Sequence, residues 1–270
     1  MIKANYHLHS TYSYDGEAGL EAMAGAALAG GFADIAFTEH LDFDRSDPGY
    51  GYFDYAAYGA AVEAARERFR GRLAIRRGIE FDFRRDYRDE PRRVLAGMDF
   101  DFRIGSVHSA GGVLLFRLSN LAEEETARLD LRRLQAEYFA EVEALLGSRL
   151  AHALGHFDYL YKHAPRLFAP WRDAWYWDRV EAILKACIRT GTALEVNSHH
   201  VLDRGLALAA DAEILARYRR LGGRLLTVGS DAHRPADVAH AYGDLERAVR
   251  AAGFAEVTGF EAGVPYAIAL

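Results

Sequence analysis

The chain has 270 residues, half of them hydrophobic and 27% charged, with a formal net charge of −6. Such a length buries the core of one α/β barrel or two small domains, and no segment approaches the ~20 uninterrupted apolar residues of a membrane span. The acidic balance argues against broad contact with a nucleic-acid backbone, and Cys187, the only cysteine, excludes an internal disulfide and fits a reducing compartment.

Met1-Ile2-Lys3 leads straight into a polar, His-rich strand rather than a signal peptide, so a cytoplasmic location is expected. That first predicted strand, Ala4–His9, places His7 and His9 on one face, because strand side chains alternate. Asp15-Gly16 follows after a turn and adds a carboxylate. A helix over Gly19–Ala29 ends at Gly30-Gly31, where helices commonly stop. Strand Asp34–Glu39 then leads into Phe37-Thr38-Glu39-His40. Helix Tyr55–Phe69 and strand Leu73–Phe81 come next, with Glu80 near the strand's end. The arginines at 76–77, 84–85, 88 and 92–93 are interleaved with acids, which predicts a salt-bridged surface.

Strand Phe102–His108 ends in Gly105-Ser106-Val107-His108. Helix Glu123–Leu146 leads to strand Leu150–His156, which ends in Gly155-His156-Phe157-Asp158. Helix Asp178–Thr190 carries Cys187 among its apolar positions, so the thiol reads as a small buried hydrophobe. Strand Ala193–Asn197, helix Asp211–Leu221 and strand Leu225–Ser230 complete the series, and Asp231 and His233 follow directly. No element is assigned beyond Ser230.

Repeated strand–helix units imply a mostly parallel sheet. Seven of them in one domain over residues 1–270 suggest a closed or nearly closed (β/α) barrel, with a doubly wound open sheet as the alternative. In a parallel barrel the carboxyl ends of the strands converge on one rim. A lone His or Glu at a strand end is usually an ordinary polar residue. Here nearly every strand delivers an imidazole or a carboxylate to the same rim, and metal binding accounts for them together.

On these residues the sequence resembles the polymerase and histidinol phosphatase (PHP) superfamily, whose members are distorted seven-stranded (β/α) barrels with a trinuclear metal centre. The matching segments are His7-Leu8-His9 with Asp15-Gly16, Thr38-Glu39-His40, Glu80, Ser106-Val107-His108, Gly155-His156 and Ser230-Asp231-Ala232-His233. Within that superfamily the chain is most similar to the monofunctional histidinol-phosphate phosphatases. The resemblance implies one metal on His7, His9, Glu80 and Asp231, and a second on Glu80, His108 and His156 with Glu80 bridging. It implies a third on Asp15, His40 and His233. It also implies hydrolysis of a small phosphomonoester, L-histidinol phosphate of histidine biosynthesis first, with Glu80, Asp231 and His233 in the catalytic machinery. A nuclease or nucleotide phosphatase of the same superfamily is the alternative, and a non-catalytic metal-binding domain a more distant one.

Chemistry agrees with that distribution. Three or four protein donors per ion leave positions open for water and substrate. Three carboxylates against three divalent ions leave roughly +3, which attracts phosphate. Six imidazoles suit Zn, Fe or Mn better than Mg or Ca. Coordination lowers the pKa of bound water to about 7, giving hydroxide at neutral pH.

The sixth strand supplies no ligand in this scheme, so Asn197, His199, His200 and Arg204 are free to meet substrate. Arg204 could grip phosphate bidentately and Lys162 could add charge, while His199 or His200 could protonate the leaving oxygen. Glu39 and Asp42 flank His40 as groups that could orient it, and Asp42 is also a candidate substrate contact. His152 is expected to be buried and non-ligating, and the aromatic run from Trp171 to Trp177 to serve packing rather than as a lid.

Overall fold

The computed structural model describes residues 2–121, 123–126, 128–165, 167–168, 172–199 and 210–270. Its centre is a seven-stranded parallel sheet in the order β1 (Ala4–Leu8), β2 (Asp34–Leu41), β3 (Ala74–Asp82), β4 (Phe102–Ser106), β7 (Ala153–Leu154), β8 (Ala193–Asn197) and β9 (Leu226–Gly229). A small antiparallel ribbon, β5 (Ser109–Ala110) with β6 (Val113–Leu114), lies outside this sheet between β4 and β7 in the chain. The sheet curls until its ends meet. Asp231 donates its N–H to the His7 carbonyl at 2.8 Å and His9 donates to Ala232 at 3.0 Å. The fold is therefore the nearly closed barrel, not the doubly wound sheet. Strand order follows chain order around the ring, as short right-handed crossovers dictate.

Helices cover the outside: α1 (Leu20–Ala29), α2 (Tyr55–Arg68), α3 (Asp89–Leu95), α4 (Glu123–Thr126), α5 (Leu131–Ser148), α6 (Tyr159–His163), α7 (Ala174–Thr190), α8 (Ala212–Arg220) and α9 (Tyr242–Ala251). Asp54, Asp130, Asp173 and Asp211 start α2, α5, α7 and α8, each carboxylate accepting a backbone N–H of the first turn. Two sequence boundaries shift for that reason. The segment read as one helix over Glu123–Leu146 breaks before Asp130 and restarts behind its cap. The helix expected from Asp178 begins at Ala174, capped by Asp173, so most of the aromatic run is helical. Tyr176 is buried in it, and Trp175 and Tyr176 pack on Phe139 of α5. Packing is what that run does among the described residues; Trp171 lies outside them.

Elements beyond Ser230 escaped the sequence. Helix α9 is followed by an antiparallel hairpin of β10 (Glu256–Glu261) and β11 (Val264–Ala269). Its two-residue turn, Ala262-Gly263, has φ of 48° and 77°. Asn-Gly or Asp-Gly advertises such a turn, and alanine there does not. The hairpin packs at the barrel end opposite the metal-ligand rim: Phe260 lies 5.0 Å from Phe102 by ring centroids, and the Phe260 N–H reaches the Tyr6 hydroxyl at 3.2 Å. His152 stacks on Phe260 there at 5.3 Å, with burial pushing its pKa down to about 4. It is remote from the rim as expected but half-buried rather than buried.

The arginine-rich stretch is salt-bridged: Arg76 to Asp34 and Glu261, Arg84 to Asp44 and Asp86, Arg85 to Glu141. Cys187 is fully buried in α7, and burial pushes its thiol up to about 12, which leaves it inert as a nucleophile.

Gly155 follows β7 at a close approach of strands. A Cβ there would lie 2.3 Å from the Ser106 hydroxyl and 2.7 Å from Ile104 Cγ2. Gly155→Ala should therefore cost about 1–3 kcal/mol, lowering the melting temperature by roughly 2–12 °C in a chain of this size. Because Ser106 donates to Glu80 at 2.6 Å, the displacement should also loosen the rim. A melting curve matching the unaltered protein's would refute the close-packing argument.

Candidate metal centre

Nine side chains named from the sequence meet at the rim where the strands end. Glu80, at the end of β3, is the hub. Its Oε2 lies 3.2 Å from His7 Nε2, 3.5 Å from His9 Nε2 and 3.1 Å from His40 Nδ1. Its Oε1 lies 2.9 Å from His156 Nε2 and 3.4 Å from His108 Nε2. Asp231 Oδ1 faces the first strand again, 3.4 Å from His7 Nε2 and 3.1 Å from His9 Nε2. Farther out, Asp15 Oδ2 sits 3.6 Å from His40 Nε2 and 3.4 Å from His233 Nε2.

These spacings test whether the residues fit metal ions. Donors at about 2.0–2.1 Å from a tetrahedral ion lie about 3.3 Å from one another. His7, His9, Glu80 and Asp231 are spaced 3.1–3.5 Å in all four of the His–carboxylate pairs above. Moreover His7 Nε2, His9 Nε2, Glu80 Oε2 and His233 Nε2 are buried without a hydrogen-bond partner. Such orphaned atoms are costly unless a ligand completes them. The residues fit. His40, Asp42 and His108 bring further donor atoms within 4.8 Å of one another, as do His199, Asp231 and His233.

Charge balance without an ion is kept by protons. Burial disfavours charge on His7 and His40, yet Asp231, Glu195 and Glu80 around the first and Asp15 and Glu80 around the second hold both well above 6.5. Burial likewise works against ionised Glu80 and Asp231, and the surrounding imidazoles hold both well below the usual carboxylate range. His9 goes the other way, to about 3, through burial and the adjacent His233 and His40. Protons and metal therefore compete for the same nitrogens.

The backbone is arranged for this. Asp231 adopts φ of 54°, a left-handed conformation uncommon outside glycine, where the chain turns out of β9. Glu39 is fully buried and accepts from Ser10 N–H at 3.0 Å and from the Ser10 and Ser13 hydroxyls at 2.6 Å. Ser13 in turn lies 3.1 Å from His9 Nδ1 and accepts the His40 N–H at 2.9 Å. Glu39 thus acts on two histidines through Ser13, which the sequence did not single out.

A cavity of about 240 Å³ opens above the ring, lined beyond it by Tyr14, Asp42, Asp47, Phe116, Tyr159 and His163. Asp42 is buried, with Oδ1 3.8 Å from His108 Nδ1. Gly49 leaves room for it, since a Cβ there would lie 2.1 Å from Asp42 Oδ2. His199 also lines the cavity, its Nδ1 2.9 Å from the Asp231 carbonyl.

Two expected substrate contacts are placed elsewhere. Asn197 is fully buried under the ring, donating to Asp231 and Glu195 at 3.3 Å each. Lys162 is buried on α6, 3.8 Å from Asp158. Neither lines the cavity, because the strand and helix that carry them turn both side chains into the protein. His200 and Arg204 lie outside the described residues. Glu195, one strand position pair before Asn197, was missed. The available signal was a lone acid inside the apolar strand Ala193–Asn197, sharing parity with Asn197.

A nearly closed parallel (β/α) barrel with clustered metal-competent donors at its carboxyl rim belongs to the class of barrels that carry their chemistry at the strand ends. The PHP domain family model matches residues 5–199, and the chain belongs to that family. It is 30% identical over 263 residues to a Deinococcus radiodurans protein named "Probable histidinol-phosphatase", covering 93% of this chain and 94% of that one. It is 27% identical over 240 residues to the histidinol-phosphatase of Lactococcus lactis, covering 86% and 85%. The crystal structure of histidinol phosphate phosphatase from Lactococcus lactis, complexed with zinc, L-histidinol and phosphate, has the same fold. It superimposes with a TM-score of 0.85 at 24% identity, over 98% of each chain.

Proposed function

We propose that residues 1–270 form one cytoplasmic catalytic domain that hydrolyses L-histidinol phosphate to L-histidinol and phosphate. The relatives' names support the substrate, and the central observation is Glu80, whose two oxygens face five imidazoles. A carboxylate so placed would offer one oxygen to each of two neighbouring ions. Three ions of zinc, iron or manganese would be held by His7, His9, Glu80 and Asp231; by Glu80, His108 and His156; and by Asp15, His40 and His233. Bound there, divalent ions acidify water and offset charge on phosphoryl oxygens.

The chain's own groups do the rest. Asp42 and Asp47 in the cavity lining complement a cationic leaving group such as an amino alcohol bearing imidazole. The Asp231 carbonyl can only accept, so His199 carries a proton on Nδ1. As the imidazolium, with a second proton on Nε2, it would give that second proton to the leaving oxygen and return to the neutral Nδ1–H form. Arg204, which follows β8 in the sequence, is assigned the phosphate by its charge and bidentate geometry.

Phosphate release from a panel of L-histidinol phosphate, simple alkyl phosphates, nucleotides and a short oligonucleotide tests this reading. L-Histidinol phosphate should lead in kcat/KM by roughly 10³-fold or more over alkyl phosphates, because a site built around polar partners rejects analogues that leave them unpaired. A preference for nucleotides or oligonucleotides would overturn it.

A further inference from the structure

Glu195 lies in the middle of β8, 1% exposed, and is in none of the donor triads formed among the described residues. Its Oε1 is 2.5 Å from His7 Nδ1 and 3.3 Å from the Asn197 amide, and its Oε2 accepts the His156 N–H at 2.7 Å. One side chain thus spans from the first strand of the barrel to His156, two residues past the end of its fifth. The contact crosses β9 at Gly229, where a Cβ would lie 2.3 Å from His7 Cβ and 2.8 Å from Glu195 Oε1. Glycine at 229 is the window through which the two meet.

We propose that Glu195 is a positioning residue for the metal cradle: it fixes His7 with Nδ1 protonated and Nε2 bare, and it ties the backbone of His156 to His7. A carboxylate can only accept, so the His7 Nδ1 that faces Oε1 is the nitrogen that carries a proton. When an ion takes the place of the Nε2 proton, His7 is neutral, keeps its remaining proton on Nδ1 and turns the Nε2 lone pair to the ring. That atom is buried, without a hydrogen-bond partner, and 3.2 Å and 3.4 Å from Glu80 and Asp231. Carboxylate–histidine–metal arrangements raise ligand basicity and set ring orientation.

Glu195→Gln keeps the shape but converts one acceptor into a donor. The amide NH2 must face either His7 Nδ1, favouring the tautomer whose Nε2 carries a proton, or the His156 N–H, donor against donor. This inference rests on the metal-cradle reading, and zinc binding rather than turnover is measured, so the identity of the substrate does not enter.

Zinc affinity of the full-length chain would be measured by chelator competition well below the melting temperature, with circular dichroism reporting the fold. Glu195→Gln should bind its tightest zinc roughly 10–100-fold more weakly while remaining folded. In the unaltered zinc-loaded protein, labelled with 15N-histidine, the His7 ring should show a protonated Nδ1 and a metal-bound Nε2, assigned by loss of those signals in His7→Asn. Affinity within twofold of the unaltered protein, or an unprotonated Nδ1, overturns the proposal. If Glu195→Gln fails to fold, the ring spectrum of the unaltered protein decides. If the unaltered chain binds no zinc, the metal-cradle reading falls with it.

Discussion

Glu80→Gln should abolish turnover and lower the metal content of the purified protein together. The substitution removes a charge and leaves a single amide oxygen where two carboxylate oxygens face five imidazoles. Whichever way the amide turns, an NH2 group points at nitrogens that need an acceptor or an ion. Metal-assisted stabilisation of a developing negative charge is worth several kcal/mol, which corresponds to a loss of roughly 10³-fold or more in kcat. Elemental analysis should show fewer ions per chain than in the unaltered protein, with the barrel still folded by circular dichroism. Near-normal phosphate release with full metal content would sink the hub role of Glu80.

Chelation should reverse the pH dependence of stability. Without ions, the folded state holds His7 and His40 well above 6.5, His108 near 10, and His233 raised, each through neighbouring carboxylates acting against burial. A raised pKa contributes stability that is complete below the unfolded value and disappears as pH rises through the folded one. His9 near 3 and His152 near 4 pull the other way, two imidazoles against four. Glu80 and Asp231, held below 4.5 and 3.8, contribute above those values and lose their contribution as pH falls. The chelated protein should therefore be most stable between about pH 4.5 and 6.5 and weaken above that window.

The loaded protein behaves oppositely, because ligating imidazoles must be deprotonated and metal affinity rises with pH. At a thousandfold excess of metal over Kd each site adds about 4 kcal/mol, or roughly 8–16 °C in a chain of this size. Melting temperatures with and without chelator at pH 5.5 and pH 8 check this. The gap should widen at the higher pH, and a constant or narrowing gap would contradict the competition between protons and metal.

How legible the centre was depends on where each residue sits. His7 and His9 stand out through strand parity, and Glu80, His108, His156 and Asp231 through their place at strand ends. The parallel sheet follows from the strand–helix rhythm, and its closure from the bonds between the first strand and the residues after the last. Asn197 and Lys162 looked equally well placed, but linear position does not say which way a side chain turns. Glu195 was hidden because a single acid in an apolar strand carries no periodic signal. Its partner lies 188 residues away. The terminal hairpin was hidden for a smaller reason, the alanine in its turn.

The sequence by itself determined a mostly parallel strand–helix architecture and the inventory of donors, because both are local properties: an alternation of elements, and residue types at their ends. Closure into a barrel rather than an open sheet was decided by the tertiary contacts. Which atoms meet was decided only in three dimensions. His7 and His9 reach Asp231 because β9 closes against β1, with backbone bonds at 2.8 Å and 3.0 Å joining residues more than 220 positions apart. Closure also brings Glu195 to His7 through the gap at Gly229. Contacts of that sequence separation depend on the whole ring being formed, and no short segment encodes them.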